Sequence, residues 1–251
     1  MSEQTNQNNH GKLEKIVLKS LEFPGVKINR TSFLQKELSK YFDDDIVKKA
    51  IETRPAQAGI NIEDIECIAK ACINNETLKV SALSAVAGIP GGFTMAIAMT
   101  ADSIQFFAHI IRILQKLAYL YGWQEILGDE DGFDDETQNQ LILFLGVMLG
   151  VNAANITLSK IALLSAQNVP KQLIRKALTK GVVYPVIKKT SAAIGIRMTK
   201  PIFAKAVGKI IPIVGAVASG GITYAFFKPM SKRLKNYLKE LPLASIEYLK
   251  E

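Results

Sequence analysis

Apolar positions recur along this chain at intervals of three and four, the period of a helix with one buried face. Leu13, Ile16, Val17 and Leu21 predict a first helix over residues 12–22. A second opens at Thr31-Ser32, where Ser32 and Gln35 form a capping-box pattern ahead of Leu38 and Phe42. Asp43, Asp44 and Asp45 offer a cap for a third, which carries Ile46, Val47, Ala50 and Ile51 and is ended by Pro55. A fourth starts near Asn61 and places Ile62, Ile65, Ile68, Ala69 and Cys72 at helical spacing.

The pattern changes after Lys79. Residues 80–101 carry no charge, and Gly88, Pro90, Gly91 and Gly92 interrupt this apolar run. Residues 93–121 predict a long helix, an acidic loop follows between Glu125 and Glu136, and a further helix is expected over about 136–167. Basic helices then continue to about residue 209, separated near Pro170, Pro185 and Pro201. A second uncharged run covers residues 210–227, broken by Pro212, Gly215, Gly220 and Gly221, and a basic amphipathic tail closes the chain. No stretch alternates as a strand does. The expected fold is all-α, a multi-helix bundle with two Gly/Pro-broken apolar helical hairpins. Its expected organisation is a mobile N-terminus (1–11), a short-helix region (12–75), a helical core (76–240) and a C-terminal tail (241–251).

At 48% hydrophobic and 22% charged residues the chain can bury a sizeable core, which excludes a disordered polymer. The polar start, Met1 to Asn9, lacks the basic and apolar regions of a secretory signal, so a cytoplasmic location is expected. Cys67 and Cys72, five residues apart, point about 140° apart on a helix and read as small core residues, with no disulfide and no thiolate metal site. Charge is lopsided: residues 1–150 carry a net −6 and residues 151–251 a net +14. Either the basic half faces an anionic partner, or the two halves pack together and neutralise each other.

A membrane crossing needs about 20 unbroken apolar residues, and Pro90-Gly91-Gly92 cuts the first run short of that. The second run has Lys205 and Lys209 before it and Lys228, Lys232, Arg233 and Lys235 after it. Basic residues at both ends suit a hairpin whose ends stay at one surface, with these side chains facing anionic headgroups or a partner; the competing reading buries both apolar runs in the core of a soluble protein. Residues 137–159 make the best single span, weakened by Gln138, Asn139, Gln140, Asn152 and Asn155. Gly146 and Gly150 form a G-x-x-x-G pair that permits close helix contact in lipid or in a soluble core.

One polar arrangement stands out. Asp102, Gln105, His109, Arg112, Lys116 and Tyr119 fall on one stripe of an otherwise apolar helix. Asp102 and His109 could act as an acid and a base, or Arg112 could hold an anion; the competing reading is a hydrogen-bonded or partner-facing seam. Asp102 and His109 lie about 10 Å apart along the axis, too far for direct contact. No metalloprotease, nucleophile-elbow or paired-cysteine motif is present, so neither metal nor cofactor is expected. The acidic loop fails as a calcium loop, since Leu127 and Gln138 would occupy its first and last ligand positions; it reads instead as a helix cap. Lys188, Lys189, Arg197 and Lys200 come without any nucleic-acid reading module, so no specific nucleic acid is expected.

The stretches Ala87–Trp123 and Gly208–Pro229 together resemble the bacterial EcsC family, through Ile89–Gly92, Asp102, Tyr121-Gly122, Pro212, Gly215 and Gly220-Gly221. A similar pair of elements occurs in the helical domain attached to some bacterial GTPases. The resemblance covers roughly residues 75–240. It implies a helical fold and, because the family is named for a gene beside those of an ABC transporter, a membrane-linked role with no established reaction. The function expected is therefore that of a non-enzymatic accessory protein, peripheral at the inner face of the cell membrane, bound to an anionic bilayer surface or a membrane protein such as an ABC transporter. The alternatives are a membrane-inserting effector or defence protein, and an enzyme using Asp102, His109 and Arg112.

Overall fold

The computed structural model describes residues 15–86, 101–127, 134–170 and 216–246, with isolated helical positions between 174 and 193. Among the described residues the continuous helices, in chain order, are α1 (15–21), α2 (Arg30–Leu38), α3 (Asp44–Glu52), α4 (Ile62–Val86), α5 (Ala101–Leu120), α6 (Asp135–Met148), α7 (Asn152–Ala166) and α8 (Ala216–Lys239). A 3₁₀ turn, Pro242–Ala244, follows α8, and no strand occurs among the described residues.

The spine is α4, whose 25 residues extend for about 37 Å. It runs unbroken through the expected division at residues 75/76, so the short-helix region and the helical core share one helix. Ile65, Ile68, Ala69, Cys72, Ile73 and Val80 form its buried stripe, against which α5 and α8 pack. Both neighbours are antiparallel to it. Lys235 and Lys239, late in α8, reach Glu66 in the second turn of α4. Tyr121, just past the end of α5, lies within electrostatic reach of the same Glu66. α2 and α3 form a hairpin with α2 against α5, and the α6–α7 hairpin packs through α6 on α8 and α5.

Helix ends differ from the sequence pattern where a side chain found a better partner. Asn29, not Ser32, caps α2, its carboxamide oxygen accepting from the Ser32 N–H at 2.9 Å. Asp43 sits at the N-cap of α3 without a side-chain cap bond, and α3 ends at Glu52, before Pro55. Asn61 caps α4 by accepting from the Asp64 N–H at 2.9 Å. The single helix expected over 136–167 is two helices. α6 stops at Gly150, whose φ of +72° is the left-handed conformation that glycine adopts without a Cβ penalty. Gly150 N–H bonds to the Val147 carbonyl and Val151 N–H to that of Gly146, the paired closing bonds of a Schellman end. The Tyr121-Gly122 pair ends α5 the same way, with Trp123 N–H bonded to the Ala118 carbonyl. A Cβ on Gly122 would stand 2.6 Å from the Leu243 carbonyl oxygen, so the chain after α8 crosses directly over this cap.

The G-x-x-x-G pair therefore has two separate uses. Gly150 ends a helix, while a Cβ at Gly146 would lie 2.6 Å from the Ala154 Cβ and 2.8 Å from the Thr190 hydroxyl. Two buried arginines also tie carbonyl-rich helix ends. Arg30 donates to the carbonyls of Trp123, Ala50, Ile51 and Thr53, binding the end of α3 to the loop after α5. Arg54 donates to Ser165 in the last turn of α7. A cation there meets both the orphan carbonyls and the negative end of the helix dipole. Of the two cysteines only Cys72 is core; Cys67 is exposed, because its position on α4 falls outside the buried stripe.

Candidate functional site

The polar stripe of α5 meets a partner on α4 that its own spacing could not reveal. Glu76 is completely buried, one turn beyond Cys72 on the apolar stripe of α4. His109 Nδ1 lies 2.7 Å from its Oε1, Arg112 Nε 3.0 Å from the same oxygen, and Lys116 Nζ 2.6 Å from Oε2. Burial alone would raise the Glu76 carboxyl, but the hydrogen bond from His109 and the charges of Lys116 and Arg112 outweigh it and hold the group well below the usual carboxylate range. An ionised carboxylate only accepts, so His109 donates from Nδ1. Burial pushes the neighbouring Cys72 thiol up to about 12, which leaves it protonated and unreactive at neutral pH.

The segment before α2 is strapped across this cluster. Arg112 donates to the Gly25 carbonyl, and Gln115 both donates to the Val26 carbonyl at 2.8 Å and accepts from the Ile28 N–H at 3.0 Å. Gln115 itself is fully buried. Tyr119 is buried too, its hydroxyl accepting from the Ile126 N–H at 3.3 Å. The stripe from His109 to Lys116 is thus an interior seam that joins α5 to α4 and to the N-terminal strap. Gln105 is half-buried and takes no part in it, and the side chain of Asp102 lies outside the described residues. Among the described residues the carboxylate that meets His109 is Glu76.

A second carboxylate on α4 gathers another set of lysines. Glu66 accepts from Lys235 and, at 2.9 Å, from Lys239, both on α8, and pairs with Lys70 at 3.1 Å. Hydrogen bonds from Lys235, Lys239 and Lys70 hold its carboxyl below the usual range. Lys235 is buried, so it does not face a headgroup or partner as its place in the basic tail suggested. Arg233 sends its guanidinium to the Met148 carbonyl at the end of α6 at 2.6 Å. Part of the basic half is therefore used internally, partly against an acidic residue of the first half. Lys232 is exposed, and Lys228 is half-buried; Lys205 and Lys209 lie outside the described residues.

The antiparallel order of α4, α5 and α8 brings three helix ends together: the C-terminal end of α4 at Val86 and the N-terminal ends of α5 at Ala101 and α8 at Ala216. Phe106 and Phe227 meet near this end with ring centroids 6.3 Å apart. Exposed apolar side chains collect on the way to it: Leu78 (63% exposed) and Leu83 (44%) on α4, and Tyr224 (44%) on α8. Past Lys79 on α4, and before Lys228 on α8, no residue of either helix carries a charge. Asp102 lies in the first turn of α5 at this end, and α1 lies beside it, with the Ser20 hydroxyl donating to the Ile104 carbonyl at 3.1 Å and Lys19 paired with Glu22. Gly88, Pro90, Gly91, Gly92, Pro212 and Gly215 lie outside the described residues, so the hairpin turns expected there are not described. Gly220 and Gly221 do not form a turn: they lie within α8, which continues through Pro229 into the basic segment. Two helical glycines cost about 2 kcal/mol relative to alanine, a penalty that packing along α4 can override.

No helix among the described residues is long and apolar enough to cross a membrane, and no group of three or more His, Cys, Asp or Glu among them could hold a metal ion. Comparison of the chain with family models, with curated proteins and with solved structures finds no match.

Proposed function

We propose that this chain is a helical accessory protein that rests one end of its bundle in a bilayer surface, without crossing it. The observation that carries the reading is the convergence of the α4, α5 and α8 ends, with exposed Leu83 and Tyr224 beyond the last charges of α4 and α8 and exposed Leu78 just before Lys79. Apolar side chains that stay solvated on a free bundle gain about 25 cal/mol per Å2 on entering an apolar phase, which favours this end over the polar flanks. The basic residues after the second apolar run support headgroup contact less broadly than their number suggests, since Arg233 and Lys235 are engaged within the bundle. In line with the EcsC resemblance, a membrane protein such as an ABC transporter at the inner face of a bacterial membrane is the partner class proposed.

Flotation of the full chain with liposomes at low and high salt tests the proposal. Contact through an apolar end predicts flotation with neutral vesicles that persists at high salt. Protein that remains monodisperse at the bottom of the gradient with every vesicle would contradict it.

A further inference from the structure

Tyr224 and Lys228 occupy one face of α8 at the level where its charge ends. The Lys228 ammonium donates to the Tyr224 hydroxyl at 2.8 Å and lies 4.9 Å from the ring centroid. It therefore leans back one turn towards the uncharged N-terminal half of α8, as helical side chains do, and is held there by a cation–π contact. Two of its three N–H donors remain after the phenol bond. Level with it is a second lysine. With Glu66 opposite Lys235 and Lys239, antiparallel helices of equal rise set Lys228 opposite about residue 75, within about one turn of the exposed Lys79. Each helix thus places its last charge before the apolar end at nearly the same height.

Resting on the membrane reading above, we infer that Tyr224, Lys228 and Lys79 form a collar that binds the phosphates of lipid headgroups and sets how deep the bundle sits. An amphipathic ring with an ammonium beside it suits the boundary between acyl chains and headgroups, where tyrosine anchors and lysine stems snorkel. Leu83, further along α4, falls on the acyl side of this line. Lys232, one turn further along α8, falls on the aqueous side with the Glu66 cluster. Lipid phosphate, rather than a soluble anion, is the ligand that fits, because the two lysines stand on separate helices beside an apolar end.

The test measures partitioning of the full chain on neutral phosphatidylcholine vesicles and on vesicles with roughly 30% phosphatidylglycerol. A lysine near an anionic surface contributes about a fivefold gain in binding. Lys228→Gln should lose about fivefold of the preference for anionic vesicles, and Lys79→Gln with Lys228→Gln roughly 25-fold, while binding to neutral vesicles stays near that of the wild type. Lys232→Gln should change the preference less than Lys228→Gln. An unchanged anionic preference in the double variant would overturn the collar and leave the membrane reading standing. Failure of the wild type to bind any vesicle would overturn both. Release from anionic vesicles by inorganic phosphate at constant ionic strength would assign the lysines to a soluble anion and overturn the collar alone.

Discussion

The two halves of α4 do opposite things with one helix. From Glu66 to Glu76 the helix presents carboxylates to bases from α5 and α8, and its ion pairs fix how three helices lie together. From Leu78 onward it shows exposed leucines, and after Lys79 no charge at all. The first half binds the protein to itself; the second presents surface whose loss would cost the bundle little. Stability and membrane contact should then separate along a single helix.

The largest expected effect is at Glu76. Glu76→Ala leaves His109, Arg112 and Lys116 without their shared acceptor, and removing one partner of a buried ion cluster costs about 3–5 kcal/mol, measurable by urea unfolding. Replacement by leucine together with Arg112→Leu and Lys116→Leu should recover part of that loss, since an apolar substitute no longer strands buried charge.

Acid should reveal the same asymmetry. Both Glu76 and Glu66 are held below the ordinary carboxylate value of 4.5 in the folded chain, so the unfolded chain takes up protons first as pH falls. Their contribution is complete above that value and is lost as pH drops below it. The stability gap between wild type and Glu76→Ala should therefore narrow between about pH 5 and pH 3. A gap that stays constant over that window would show that the carboxylate is not the source.

Glu66→Gln is expected to cost less than half as much as Glu76→Ala. Glu66 is a fifth exposed, and water can solvate the lysines it releases, apart from the buried Lys235. At the other end of the helix, Leu83→Asp should change stability by no more than about 0.5 kcal/mol, as expected for an exposed site. An equal loss at Leu83 and Glu66 would erase the comparison between the two halves.

Much of the architecture is legible in the residues. The helical period over 15–21 and 61–72, the stripe of α5 and the capping role of the acidic loop, where Asp134 accepts from the Thr137 N–H at 2.8 Å, all follow from local spacing. What spacing cannot supply is the facing element. The α5 stripe read as either a site or a seam because its partner lies 33 residues earlier, in a stretch, Asn74-Asn75-Glu76-Thr77, that looks solvated. One signal was present: Ile65, Ile68, Ala69, Cys72 and Ile73 define an apolar stripe, and Glu76 continues it. A carboxylate on an apolar stripe requires a cation across from it. The burial of Lys235 escapes the sequence for the converse reason, since a basic tail gives no hint of which lysine faces the neighbouring helix. Gly220-Gly221 resembled a turn, yet α8 packs along α4 and tertiary contact overrides a weak local preference.

The central claim is that the end of the bundle where α4 and α8 carry no charge meets the bilayer while the clasped half holds the fold. Its most direct test is flotation with liposomes of Leu83→Asp combined with Tyr224→Asp, beside Glu66→Gln, each confirmed folded by circular dichroism. The account predicts that the first variant unfolds like the wild type but no longer floats, and that the second is less stable yet floats normally. Normal flotation of the Leu83→Asp, Tyr224→Asp protein would contradict it.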